Sequence, residues 1–485
     1  MILNQSTYCD SDDLAQFIGG YSAEGWRIMD IFASDYSPEF IMNIMLRRGG
    51  DILRVTSNVE NTYPAITPVV PAASLFERKL WEMNGIIPEG HEDLVPVVYW
   101  RKGDGYPLQK EVYMKYGETK IPKPKNLLSG AGIFEIPVGP VHAGVIEPGH
   151  FRFSTAGEPI LELRVHLGYK HKGTEKLMEG SVDRNLSHLA ERISGDNAVA
   201  HSLAHAHAME GLTEVPERAR IIRVILSELE RIHNHLEVLS GLCTDTAFSV
   251  AAAFGQEARE SLLRTNQEIF GSRLLMGNII PGGVKRDLDS DKIKKLESTV
   301  MKASFAAARL DKYMKSSPSE TDRLETTGIL TKEYAEKLGT VGVIARSSGI
   351  ASDVRKEFPY DFYDELSLNV ITETKGDSLA RATVRANEIS ESVSIILQCL
   401  TKIEDGDIWT EPEMPRGTVC GIVESPRGEL LHTAEIRDGE VWRYSIRDPS
   451  FVNWPALEVS VLKDIIPDFP LINKSFGLSY SGNDV

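Results

Sequence analysis

The side chains able to do chemistry concentrate in one short stretch. Between Ala190 and Glu210 the chain sets Ser194, Asp196, Asn197, His201 and His205 among alanines. His201 and His205 stand four apart, which puts both imidazoles on one face of a helix and is a spacing that can chelate a metal. A chelate needs a third ligand and none is evident, so no metal is expected on this chain. A relay of His and Asp groups that passes protons along suits the stretch better, because histidine titrates near neutral pH. Glu228, Arg231 and His235 form a second candidate group, and His142 and His150 a third.

These groups need a framework, and hydrophobic spacing supplies one. From Pro216 a helix is expected, with proline in its first turn, and Ile222, Ile225, Leu229, Ile232 and Leu236 make one apolar stripe. Glu228, Arg231 and His235 lie near the edge of that stripe, where charges are either paired in a network that locks helices together or are used to handle protons. Upstream, Ile41–Leu46 and Val97–Trp100 read as strands and Ser74–Met83 as a helix. Pro122, Pro124 and the lysines at 120, 123 and 125 mark a linker near residues 115 to 132. Ile160–Val165 alternates as a β-hairpin strand, and Ser290–Met314 reads as a charged helix. The stretch from Glu424 to Leu430 opens a last β segment that Arg447 to Asn453 closes. The expected fold is α+β: a small mixed domain over residues 1–120, then a mainly α-helical domain over 121–485 with β segments at both ends.

Composition narrows the function. With 485 residues the chain exceeds what one core usually fills. A net charge of -17 argues against a nucleic-acid partner, because a polyanion wants clustered Lys and Arg. Cys9, Cys243, Cys399 and Cys420 are far apart and form no C-x-x-C pair, so an iron-sulfur or zinc-thiolate site built by this chain alone is not expected. No G-x-G-x-x-G follows a strand, so NADH use would fall to another subunit. The first residues lack a basic n-region and an apolar h-region, and no apolar run approaches the roughly 20 residues of a membrane span. A cytoplasmic chain without a direct membrane span is expected.

Several phrases carry a family resemblance. Arg192-Ile193-Ser194-Gly195-Asp196-Asn197, then Ala200-His201-Ser202, is spaced like the R-I-C-G-x-C-x-x-A-H-S segment of nickel-iron hydrogenase large subunits. Near the end, Ser475-Phe476-Gly477-Leu478-Ser479-Tyr480-Ser481-Gly482 resembles the S-F-D-P-C-x-x-C of the same family. Ser194, Asn197, Ser479 and Gly482 fall where the nickel-binding cysteines would stand. Gly149-His150-Phe151-Arg152, Gly271-Ser272-Arg273, Pro281-Gly282-Gly283, Ala345-Arg346-Ser347-Ser348-Gly349, Asp353-Val354-Arg355, Glu424-Ser425-Pro426-Arg427-Gly428 and Arg447-Asp448-Pro449 resemble the 49-kDa subunit of complex I and the large subunits of membrane-bound group 4 hydrogenases. Phe76-Glu77-Arg78, Trp81 to Ile86 and Gly90-His91-Glu92-Asp93-Leu94 resemble the complex I 30-kDa subunit, with Glu82 in place of an aspartate. Fusion of the two parts resembles hydrogenase-4 and formate hydrogenlyase large subunits, here without the nickel-binding cysteines, as in energy-converting hydrogenase-related complexes.

The resemblance implies a hydrogenase-like large-subunit domain behind a 30-kDa-like one, in a complex that couples electron transfer to ion translocation. Serine, asparagine and glycine replace soft thiolates, so no nickel-iron site is expected. In complex I the vacated cavity takes a quinone headgroup, held by a histidine and a tyrosine whose positions here are Ile146 and Val199. Neither side chain can hydrogen-bond a quinone oxygen. The remaining cavity candidates are Ser194, Asp196, Asn197, His201, Ser479 and Tyr480, joined by His142 and His150. The resemblance also implies an iron-sulfur small subunit and membrane-embedded subunits as partners, a place on the inner face of the cell membrane, and quinone as a possible acceptor. Two functions stay open: a redox subunit with an unidentified acceptor, or a non-catalytic scaffold that passes conformational change to the membrane module.

Overall fold

The computed structural model describes residues 6–99, 105–110, 128, 130–142, 146–181 and 186–485. Trp100, residues 115–127 of the expected linker and the expected boundary at residue 120 lie outside them. The α+β class holds, with a small N-terminal sheet, a helical centre and β segments at both ends of the second part.

The N-terminal sheet is formed by Ser6–Tyr8, Asp51–Val59, Glu39–Arg48 and Arg27–Tyr36 in that spatial order, the first pair parallel and the others antiparallel. Arg27–Tyr36 is buried along nearly its whole length because both faces are covered. It contacts the helix Ser74–Asn84 and packs on the C-terminal strand Glu440–Arg447. The helix ends at Gly85, whose φ of 81° is the left-handed conformation glycine adopts at no steric cost. The strand expected at Val97–Trp100 is not one over its described residues. The backbone N–H groups of Val97, Val98 and Tyr99 donate to the Glu82 carboxylate, so a side chain, not a neighbouring strand, satisfies them.

The second part is built on the helix Glu217–Asp245. Its apolar residues Ile222, Ile225, Leu229, Ile232 and Leu236 are fully buried, but so is most of its circumference. The single stripe expected from spacing is therefore too narrow a description: helices Ser249–Phe270, Ser378–Lys402 and Phe469–Phe476 pack around it. Pro216 stands at the N-cap, one residue before the first turn. The charged helix runs Ser290–Ser316, with Asp289 accepting the N–H groups of Asp291 and Lys292 at its start.

At one end lies a three-stranded antiparallel sheet of Phe134–Val138, His150–Thr155 and Ile160–His166. At the other end Gly417–Ser425, Gly428–Arg437 and Glu440–Arg447 form an antiparallel meander. The last β segment thus opens at Gly417, and the Glu424–Leu430 stretch is its first turn. Helix Ala198–Met209 lies on this meander, and its alanines keep it thin. A Cβ added at Gly421 would run into the Ala204 carbonyl, so the absence of a side chain there sets how closely helix and sheet approach.

Candidate functional site

The Ser194 loop and the C-terminal tail meet. Ser194 Oγ and Ser479 Oγ are 2.8 Å apart and hydrogen-bonded, and Ser194 Oγ also donates to Asp196 Oδ1 at 2.9 Å. Ser479 caps the terminal turn by accepting the Gly482 N–H at 2.9 Å. Asn197 is fully buried, and both polar atoms of its amide lack a partner among the described residues. Gly482 leaves room for the Asp448 carboxylate, which a Cβ at 482 would meet at 2.6 Å. Two mutually bonded hydroxyls, one amide and a carboxylate in the place of a fourth side chain do not fit a nickel-iron group, which takes soft thiolates. Among the described residues no cluster of three or more His, Cys, Asp or Glu side chains is placed to hold a metal ion.

Charge at this centre is fixed by Arg427. Burial raises the Asp196 carboxyl, but the paired Arg427 guanidinium outweighs it and holds the group well below the usual carboxylate range. Asn234 donates to the same carboxylate at 3.1 Å. One turn earlier, Glu230 accepts the Val199 and Ala200 N–H groups at 2.6 and 3.0 Å, capping helix Ala198–Met209 from a neighbouring helix. Burial pushes Glu230 up to about 8, with Asp196 adding to the shift. His233, on the same helix as Glu230, is fully buried with neither ring nitrogen partnered among the described residues, and burial together with Arg259 pushes it down to about 3.

His201 leads away from the centre along a buried chain. His201 Nε2 and Asp448 Oδ2 are 3.1 Å apart, and His201 Nδ1 lies 3.0 Å from His432 Nε2. His432 Nδ1 is 3.0 Å from the Tyr444 hydroxyl, which lies 2.8 Å from His205 Nδ1. All five residues are buried. Burial pushes His205 down to about 4 and His432 well below its ordinary value, and raises Tyr444 well above its own. Burial also raises Asp448, but His201, Ser450 and Arg427 together outweigh it and the net shift is downward. His201 and His205 share a helix face, with ring nitrogens that face His432, Asp448 and Tyr444. They are joined through His432 and Tyr444, which sequence spacing does not reveal because they lie in strands more than 220 residues away.

Glu228, Arg231 and His235 are not part of this centre. They sit fully buried, not at the edge of a stripe, in a lattice of paired charges. Glu228 accepts from Arg355 at 3.0 Å, Arg231 at 3.2 Å, Tyr363 at 2.5 Å and Ser392 at 2.5 Å. Burial raises its carboxyl, yet Arg355 and Arg231 bring it down to about 2. His235 Nε2 faces Glu388 at 2.8 Å, and Glu388 is also bound by Arg346, which reaches Glu424 at 2.7 Å. Burial pushes His235 down to about 4 against the pull of Glu388.

His142 and His150 stay on the three-stranded sheet. His142 Nε2 lies 2.7 Å from the Gly149 carbonyl and His150 Nδ1 lies 3.4 Å from that of Gly139, so neither bonds to the Ser194 cluster. Tyr480 reaches this sheet, since a Cβ at Gly149 would meet its ring at 2.6 Å, but its hydroxyl accepts from Asn473 at 3.1 Å. Ile146 and Val199 both lie in apolar clusters.

With this geometry in hand, comparison with known proteins is specific. The model of the respiratory-chain NADH dehydrogenase 49-kDa subunit matches residues 245–413 and 408–484, and that of the 30-kDa subunit matches residues 8–118. The chain belongs to the complex I 49-kDa and hydrogenase large-subunit family, with a 30-kDa-type segment in the same polypeptide. It is 32% identical to formate hydrogenlyase subunit 5 of Escherichia coli over 438 residues, covering 87% of this chain and 77% of that protein. Hydrogenase-4 component G of the same organism is 31% identical over 436 residues, covering 87% and 76%. An NADH-quinone oxidoreductase subunit of Phocaeicola vulgatus is 30% identical over 423 residues, covering 81% of each chain.

Proposed function

We propose that this chain is the large subunit of a membrane-associated, complex I-like or hydrogenase-related oxidoreductase complex that couples electron transfer to ion translocation without a nickel-iron site of its own. The observation that carries this reading is the Ser194–Ser479 hydrogen bond of 2.8 Å, with the Asp448 carboxylate against Gly482, at the positions where the family's metal thiolates would stand. The donors left there suit protons, not soft metals. Asp196 and His201 are assigned proton handling, and Glu228, Arg231 and His235 the locking of helices. His142 and His150 are assigned to the neighbouring sheet loop.

By the family resemblance, an iron-sulfur cluster resides in a partner small subunit and membrane-embedded subunits complete the assembly on the inner face of the cell membrane. No helix among the described residues is long and apolar enough to cross a membrane. Residues 1–120 and 121–485 are assigned as the two units. A quinone held in the usual way finds no partner at Ile146 or Val199, so a quinone acceptor would need a different site. The scaffold reading is favoured by one feature, the charge lattice around Glu228, which ties the central helix to its neighbours. To decide, the complex is purified through a tag on this chain and compared with Asp196→Asn and His201→Gln complexes. The redox reading predicts intact assembly and electron transfer lowered by about a hundredfold, the scale of a lost proton-transfer group. Unchanged electron transfer in both variants would leave the scaffold reading.

A further inference from the structure

We propose that His205, Tyr444, His432, His201 and Asp448 form a directional proton wire that ends at the Ser194–Ser479 centre; its role in turnover rests on the function proposed above, whereas its existence does not. The direction follows from counting hydrogens. Asp448 Oδ1 accepts the Ser450 N–H at 2.7 Å, and Oδ2 faces His201 Nε2 at 3.1 Å. A carboxylate only accepts, so His201 carries a proton on Nε2 and, when neutral, offers Nδ1 as an acceptor. His432 Nε2 must then donate to it, which leaves His432 Nδ1 bare. The Tyr444 hydroxyl donates to that nitrogen. A hydroxyl has one hydrogen, so Tyr444 Oη accepts from His205 Nδ1, and His205 Nε2 is bare. The neutral chain has this one arrangement, and burial of His205, His432 and Tyr444 favours their neutral forms.

A proton arriving at His205 Nε2 reverses every bond in the row. The His205 Nδ1 proton passes to Tyr444 Oη as the tyrosine proton moves to His432 Nδ1. The His432 Nε2 proton moves to His201 Nδ1. His201 becomes an imidazolium beside the Asp448 carboxylate, and transfer from Nε2 places the proton on Asp448, against Gly482. One proton enters, one proton is delivered, and no electrons move.

The fold is arranged to hold this row. Gly421 pairs with His432 in the meander, and its missing side chain lets helix Ala198–Met209 come close enough for His201 and His205 to reach His432 and Tyr444. At the far end, the charge acting on His205 is Glu210, which lines a cavity of about 620 Å³ together with His207 and Gly421. That cavity is the side from which protons would be supplied.

The test is nitrogen-15 NMR of the purified complex labelled at histidine, with assignment by single substitution. Expected are a proton on Nδ1 of His205 with bare Nε2, and protons on Nε2 of both His432 and His201. A proton on Nδ1 of His432 while His201 is neutral would overturn the wire, whatever the complex does. Tyr444→Phe keeps the ring and removes the hydroxyl. In an assembled complex it is expected to lower turnover about a hundredfold at unchanged KM for the electron acceptor, with a solvent deuterium isotope effect at least as large as that of the unsubstituted complex. Expected tautomers with unchanged Tyr444→Phe turnover would instead overturn the role in turnover and count against the redox reading.

Discussion

Two buried polar networks share the core of this protein and differ in kind. Around Glu228 every carboxylate faces one or more guanidinium groups, with Arg355, Arg231 and Arg346 as the cations. Along His201 three imidazoles and a phenol are bonded to one another in single file, ending on the Asp448 carboxylate. A lattice of opposite charges is locked by its own field, because moving any member leaves its partner unpaired in a low dielectric. A row of neutral donors and acceptors has two polarities and can switch between them. Burial alone therefore does not mark a functional group: the sequence pattern points to both sets, and only their partners separate them.

The contrast can be broken or sharpened by substitution. The largest effect is expected for Glu228→Ala, which leaves Arg355 and Arg231 without their shared carboxylate. A loss of about 3–5 kcal/mol is expected in denaturant unfolding. The same pair gives a pH signature. Glu228 is depressed from about 4.5 to about 2 in the folded state, so its contribution is fully present above pH 4.5 and is lost as pH falls toward 2. Glu228→Gln should flatten that acid limb, seen as a shallower fall in stability over this window.

Next in size is Gly421→Ala, which pushes helix Ala198–Met209 off the meander. A cost of about 1–3 kcal/mol, the range for overpacking, is expected in the same measurement, together with loss of the His205 Nδ1–H signal. His233→Leu should act in the opposite direction. Replacing a buried, unpartnered imidazole with an apolar side chain is expected to stabilise by about 1 kcal/mol, and a loss of stability would show a partner that the described residues do not supply. Tyr444→Phe removes a hydroxyl bonded to two buried imidazoles, so a cost of about 1–3 kcal/mol is expected, and a turnover loss out of proportion to it would separate conduction from folding.

Much of this framework is legible in the sequence. The helix at Ser74–Met83, the strand around Ile41–Leu46 and the central helix follow from local periodicity. The meeting of Ser194 with Ser479 was readable only because both phrases resemble the same family segments, which lie together in that family. Local pattern failed where a distant side chain did the work of a backbone partner, as Glu82 does for Val97–Tyr99. It failed again at His432 and Tyr444, since an isolated histidine or tyrosine in a strand looks like ordinary core. The available signal was Asp448, inside the Arg447-Asp448-Pro449 phrase, whose carboxylate holds His201.

Elemental analysis of the native complex purified through this chain, with nickel and iron counted per copy, decides whether the Ser194–Ser479 centre holds a metal. Nickel at background is expected, with iron no higher than clusters in the proposed small subunit would explain. About one nickel per chain would contradict this, because hydroxyls, an amide and a carboxylate against glycine would then be holding a metal that prefers thiolates.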